Sequence, residues 1–406
     1  MRIKFLLISN GSLGLRANLR LAAIANSVPG PGRTRSNWAK FSVILLSCAI
    51  GQGAPGAGAA GVHRKTSGTI TTFNVPGAGF TVPIAVNQSG TIAGAYSDSS
   101  YTQHGFLLSP QGTFTTFDAP NGVNGTRPTG LDQAGTVVGT YLDANDMSHG
   151  FSRTADGVFT ELTGPGGVNL PPSWIGPTGG MAGTYQDIGG LNHGFRLSRN
   201  GGLVVFEAPG AGSVAGQGTR GLSINRIGEL AGIYTDPGGQ DHPYLRSKTG
   251  AITTIVPPGG FVPDLGYEYA PYRLAPPVSI NAGGDVAGAF FLPAQNYYGG
   301  IVNGFIRSAN GTFTTFGIDN NGPCCIFNYV TAINASDSVI GYEDDYYNSN
   351  HGYLRTADGT ITLFDAPGAG TQYFQGTFPT AINSAGLIVG TYEDSGYGFH
   401  GFIRQP

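Results

Sequence analysis

The chain has 406 residues, including 68 glycines and 26 prolines, with only 11% charged residues and a formal net charge of −3 at pH 7. That balance leaves no basic footprint for nucleic acid and no acidic tail. So much glycine and proline, set among threonine, valine and aromatics, points to short strands joined by tight turns, and the length suits two ordinary domains or one repeat array.

Residues 1–67 stand apart from the rest of the chain. An apolar core at residues 41–46 comes after Arg33, Arg35 and Lys40 and before a small-residue run at 54–61, the order of a secretory leader followed by a disordered linker. Ala57-Gly58-Ala59 suits cleavage. The apolar run is far shorter than the ~20 residues that span a bilayer. Leu45-Leu46-Ser47-Cys48 resembles a lipobox without its usual small residue, so membrane attachment is expected only through a lipid on Cys48.

From residue 68 a sentence repeats. Its closing word, His104-Gly105-Phe106, returns at His149, His193, His242, Asn303, His351 and His400, at intervals of 44 to 61 residues. Each period divides into four strand-like segments, in the first period 82–86, 91–96, 105–108 and 113–117. Asn87 to Gly90 and its counterparts, such as Asp132 to Gly135 and Asn383 to Gly386, read as hairpin turns between the first two segments. The third period substitutes Gly176-Pro177-Thr178-Gly179. A second short turn, Pro110-Gln111-Gly112 and its counterparts, joins the third segment to the fourth. The fourth segment, Thr113-Phe114-Thr115-Thr116-Phe117, alternates as a strand with one wet face, and Asp118-Ala119-Pro120 ends it.

Four antiparallel strands per period of about 45 residues is the plan of a propeller blade. The array opens with an orphan fourth segment, Thr69-Ile70-Thr71-Thr72-Phe73, and closes with an orphan third, Gly401-Phe402-Ile403-Arg404. Joining them leaves no open edge. The expectation is an all-β, seven-bladed β-propeller over residues 68–406, closed by the N-terminal strand on the last blade, with blades starting near Val82, Thr126, Pro172, Gly218, Pro277, Asn328 and Thr377.

The His-Gly-Phe word, the Thr-Phe-Thr-Thr-Phe-Asp-Ala-Pro word and the Ala-Ile-Asn-x-x-Gly-x-Ile-Val-Gly-Thr-Tyr word at 381–392 resemble the HAF family of extracellular bacterial repeats over residues 68–404. The resemblance implies a secreted repeat protein and brings no activity. Pro243, Asn303 and the third turn depart from the pattern.

A residue present in nearly every blade builds blades, so His104, His149, His193, His242, His351 and His400 are expected to be structural. Their partners are expected among Asp98, Asp143, Asp187, Asp236, Asp344 and Asp394, two or so residues beyond the recurrent glycine. Each acid would bond its imidazole or close an Asx-turn. A calcium-binding ring of these carboxylates lacks the acid spacing of a calcium loop. The glycines Gly94, Gly139, Gly183, Gly232, Gly288, Gly341 and Gly390 suit close backbone approach. Nucleophile elbows, Walker loops and zincin motifs are missing, and neither a metal nor a cofactor is expected. Asp264 and Glu268, or Asp344 and Asp345, are the acid pairs that could serve glycan chemistry. The adjacent Cys324 and Cys325 fit either a vicinal disulfide or two small apolar loop residues.

The longer links concentrate around the fifth and sixth periods and carry Phe261, Tyr267, Tyr269, Tyr272, Tyr297, Tyr298, Phe327, Tyr346 and Tyr347, a candidate ligand surface. The expected function is a monomeric, secreted, non-enzymatic binding or adhesion module for a glycan, cell-envelope or protein ligand. The alternative is a propeller hydrolase or lyase acting on a polysaccharide or small cyclic ligand.

Overall fold

The structure is a computed structural model that describes residues 68–259, 278–292, 301–318, 328–344 and 349–406, all within the unit Gly51–Pro406. The strands fall into successive antiparallel groups of four. The first group is Phe80–Val86, Ile92–Ser97, Gln103–Leu108 and Phe114–Phe117, and the second Gly125–Leu131, Val137–Leu142, Ser148–Arg153 and Phe159–Leu162. The third is Pro172–Ile175, Met181–Gln186, Asn192–Leu197 and Leu203–Phe206, and the fourth Gly218–Ile224, Leu230–Thr235, Asp241–Arg246 and Ile252–Thr254. Val278–Ile280, Val286–Leu292, Ile301–Arg307 and Phe313–Phe316 make the fifth, and Asn328–Ile333, Val339–Asp344, Asn350–Arg355 and Ile361–Phe364 the sixth. The last group takes Gly376–Ile382, Ile388–Glu393 and Phe399–Arg404 from the C-terminus and Ile70–Phe73 from the N-terminus, with Ile70 opposite Arg404 and Phe73 opposite Gly401. First strands begin at Phe80, Gly125 and Gly376, one or two residues ahead of the sequence-based starts, because pairing extends past the apolar run.

The recurrent glycines are explained by the ring opposite. Phe106 lies across Gly94, and Phe117 across Gly105, so a Cβ at those glycines would stand 2.6 and 2.3 Å from ring carbons. The departure at Pro243 fits the same logic, since Ile255 follows the fourth strand there and no ring needs a bare backbone beneath it. The third-period turn, although differently spelled, closes like the others, with Gly179 N–H donating to the Gly176 carbonyl at 3.0 Å.

Neighbouring groups interlock through repeated devices. Thr81, Thr126, Thr219 and Thr377 are fully buried, and their hydroxyls accept from the N–H of Val75, Ala119, Ala208 and Ala366, pinning each link from a fourth strand to the next first strand. Arg153, Arg246, Arg355 and Arg404 lay their guanidinium groups 4.6 to 5.0 Å over Phe117, Phe206, Phe316 and Phe364, the last ring of the preceding group. Turn asparagines reach forward: the Asn334 amide donates to the Asn383 carbonyl, Asn383 to Asn87, and Asn87 to Asp132. The last group therefore touches the first as neighbours in sequence touch each other. No helix among the described residues is long and apolar enough to cross a membrane.

Candidate functional site

The second-to-third turn and the link leaving the fourth strand lie at one end of each sheet, and the histidines join them. His104 Nδ1 stands 2.9 Å from Asp118, its Nε2 3.6 Å from Asp98, and its ring stacks on Tyr96. His149 is held likewise by Asp143, Glu161 and Tyr141, and His193 by Asp187, Glu207 and Tyr185. His400 meets Asp394 at 2.9 Å and Asn74 at 3.0 Å over Tyr392. His242 faces Asp236 over Tyr234, and His351 faces Asp365 and Ser349.

Asp98, Asp143, Asp187, Asp236 and Asp394 serve both expected purposes at once. One oxygen of Asp98 accepts from the N–H of Ser100 and Thr102 and closes an Asx-turn, while the other faces the imidazole. Two details differ from the sequence reading. These acids sit four residues beyond the glycine, because the turn begins only after the strand has passed the stacked tyrosine, whereas Asp344 is three residues beyond Gly341, at the end of the strand Val339–Asp344. The second partner on Nδ1 comes from just beyond the fourth strand for His104, His193, His351 and His400, and from within it, as Glu161, for His149. Imidazoles are thus held in the same way in repeat after repeat, between a turn acid and the stacked tyrosine. Among the described residues, no cluster of three His, Cys, Asp or Glu side chains is arranged to hold a metal ion.

The turn N–H groups of Thr102, and of Met147 and Asn145, hold the Asp98 and Asp143 carboxyls below their ordinary pKa, with the imidazoles adding to the effect. For Asp236 and Asp394 the imidazole is the larger cause. Burial alone would lower the His149 pKa, but Asp143 and Glu161 outweigh it and raise it. Burial, then the Asp394 charge, pushes the Glu393 carboxyl up to about 7. Burial and Asp285 raise that of Asp337. The depressed aspartates contribute stability above their ordinary value of 3.8 that is lost as pH falls through their folded values. His149 contributes below 6.5, lost as pH rises through its raised value. Glu393 costs stability as pH rises from 4.5 to about 7, since the native state keeps the proton longer. The thermal midpoint is therefore expected to peak near pH 5 and drop by a few degrees toward pH 8, with Glu393→Gln removing much of that drop. An unchanged slope in the variant would show that Glu393 is not the group responsible.

The same end of the sheets carries exposed aromatics. Tyr101 is 76% exposed at φ 64°, and Tyr397 is 56% exposed at φ 64°. Their counterparts in the second, third and fourth groups are Asp146, Gly190 and Gly239, also at positive φ. Phe374, 52% exposed at φ 67°, stands in the link where the third-to-fourth link has Gly216. Its ring lies 3.9 Å from that of exposed Tyr373. Phe80 bridges Tyr101 and Phe399 at 6.2 and 5.5 Å. A left-handed conformation costs a bulky residue about 1–2 kcal/mol, which the ring contacts of Tyr101 with Phe80 and of Phe374 with Tyr373 offset only in part, at about 0.5–1.5 kcal/mol each. The sequence signal was a tyrosine or phenylalanine at a turn position written as glycine elsewhere. The expected ligand residues Phe261, Tyr267, Tyr269, Tyr272, Tyr297, Tyr298, Phe327, Tyr346 and Tyr347 lie outside the described residues, as do Cys48, Asp264, Glu268, Cys324, Cys325 and Asp345.

No protein-family model and no curated protein matches the chain. Among solved structures it is similar to a catalytically inactive H270A virginiamycin B lyase from Staphylococcus aureus with quinupristin, at 15% identity over 84% of this chain and 100% of that one, TM-score 0.52. The selenomethionine form of that lyase gives 14% identity, the same coverage and a TM-score of 0.51. The β-propeller domain of the Trilobed protease from Pyrococcus furiosus gives 8% identity over 80% of this chain and 94% of that one, TM-score 0.48. At such identities the likeness concerns the fold alone, and with its successive antiparallel groups of four strands, two pairs of which single parallel bridges join into eight-stranded sheets, the chain has an all-β, propeller fold.

Proposed function

We propose that the chain is an extracellular binding or adhesion module of HAF-type repeats, without catalysis of its own, for a glycan, cell-envelope or protein ligand. It is a seven-bladed propeller closed by Ile70–Phe73 on the last blade, and residues 1–67 are its secretory leader and linker. The end of the sheets that carries the second-to-third turns and the inter-blade links is the ligand face. The observation that carries this reading is the trio Tyr101, Phe374 and Tyr397: exposed rings held at positive φ where other repeats use glycine or aspartate. Backbone strain kept at rings that stay more than half exposed is what a recognition surface costs. Tyrosine and phenylalanine offer flat faces for sugar rings or protein side chains at little entropic cost. The clamped histidines supply no unlike, converging groups of the kind an acid–base site needs.

Replacing Tyr101, Phe374 and Tyr397 together by glycine tests it. The thermal midpoint is expected to stay level or rise slightly, since glycine relieves the strain. Binding to cell-wall preparations and to the glycans retained in an array screen is expected to fall at least about tenfold, a loss of about 1.4 kcal/mol. Undiminished binding to every retained ligand would remove this face from consideration.

A further inference from the structure

At the opposite end of the sheets, between the third and fourth groups, three arginines depart from the repeat together. Arg196 follows the His193-Gly194-Phe195 word, where the other repeats carry leucine, isoleucine or serine. Arg226 follows the turn asparagine Asn225, where every other repeat has an uncharged residue. Arg199 opens the third-to-fourth turn, where only Lys248 is otherwise basic. Positions that build the scaffold recur, so three departures of one kind at one junction ask for a separate cause.

They line a single open pocket of about 580 Å³, with Thr178, Ser198 and Asn200. That volume admits a sugar-sized group. Glycines make the room: a Cβ at Gly228 would stand 2.5 Å from Arg196 Nη2, and one at Gly179 would stand 3.2 Å from the Arg199 stem. Among the described residues, no carboxylate lines the pocket. The Nε of half-buried Arg196 is shut off from solvent and has no hydrogen-bond partner. Behind it Arg246 is buried over Phe206, its Nε also unpartnered. Burial lowers the Arg246 pKa, and the neighbouring Arg196 charge lowers it further. Positive charge is thus gathered at a chain of net charge −3 without the acids that would neutralise it. The guanidinium fork matches an oxyanion in two-point hydrogen bonds.

We propose that this pocket is an anion-binding site for a phosphate, sulfate or carboxylate group carried on a small polar ligand such as a sugar. Arg199 and Arg226 close on the anion from the two turns, and Arg196 supplies the floor. The site is independent of the aromatic face.

Calorimetric titration of the full chain at low ionic strength with inorganic phosphate, sulfate and glucuronate tests the proposal. Saturable binding of at least one of the three is expected, weakening as salt is raised, and the tightest of them identifies the acid. In Arg199→Gln/Arg226→Gln, whose changes are at exposed side chains, affinity is expected to fall at least about tenfold, about 1.4 kcal/mol. Lys248→Gln and the Tyr101, Phe374 and Tyr397 glycine variant are expected to retain it. Absence of saturable binding by all three probes, or equal affinity in the arginine double variant, would overturn the proposal.

Discussion

An alanine at Gly94 is expected to lower the unfolding free energy by about 3 kcal/mol, the upper end of what overpacking costs, and the same holds at Gly139 and Gly390. The added Cβ would stand 2.4 Å from the Val82 carbonyl oxygen at Gly94, 2.3 Å from that of Arg127 at Gly139 and 2.3 Å from that of Phe378 at Gly390. These are backbone atoms held in the neighbouring strand, so no rotamer change clears them. On the opposite side the rings of Phe106, Phe151 and Phe402 press within 2.6 to 2.8 Å of the same point. The comparison that isolates sterics is Gly112→Ala, in a turn at φ 86° with nothing within 4 Å of a Cβ. There only the left-handed backbone is penalised, at about 1 kcal/mol. Denaturant unfolding should show a lower midpoint at unchanged slope for all four variants, with the strand substitutions far worse than the turn one. If Gly94→Ala costs no more than Gly112→Ala, ring-over-glycine packing is not what fixes the repeat.

That packing also shows what a sequence can and cannot disclose. The strand-turn-strand order was legible because glycine and asparagine mark turns locally, and the pairing of Ile70–Phe73 with Phe399–Arg404 followed from two orphan segments completing each other. The acids on the histidine Nε2 were legible as a set because each lies six residues before its ring. The partner on Nδ1 was not. It arrives twelve to fourteen residues later, at the end of the fourth strand or just past it, and it is written as Asp118, Glu161, Glu207 and Asp365 in different repeats. For His400 it is Asn74, at the other end of the chain. The partners of the arginines are also visible only in three dimensions: Arg153 lies over Phe117 and Arg404 over Phe364 from the preceding group, whereas at the same position Leu197 packs with Leu162 and Leu108 with Phe73. Composition cannot reveal such pairs, because each half alone looks like an ordinary strand-end residue.

The largest single loss is expected from removing the N-terminal strand. A protein beginning at Gly68 keeps Ile70–Phe73 against the C-terminal strand, and one beginning at Val75 does not. In the shorter protein the Gly401 backbone loses the Phe73 ring that a Cβ there would meet at 2.6 Å, and Phe106 and Phe114 lose an edge partner at 6.3 and 6.1 Å. His400 loses Asn74, and the Gln405 N–H loses the Thr69 carbonyl. Deleting a fully buried phenylalanine side chain costs about 3–5 kcal/mol; Phe73 is half-buried and loses a part of that, and the four ladder positions of the strand go with it. The freed strand Phe399–Arg404 then presents unpaired backbone groups at an edge, so the shorter protein is expected to unfold at a much lower denaturant concentration and to associate through that edge. A synthetic peptide of residues 68–75, added in excess, is expected to restore the midpoint by filling the vacancy. Equal stability of the two proteins would mean that the strand merely rests on the last sheet, and that contacts such as Thr380 to the Pro83 carbonyl and Asn383 to the Asn87 carbonyl hold the first and last repeats together without it.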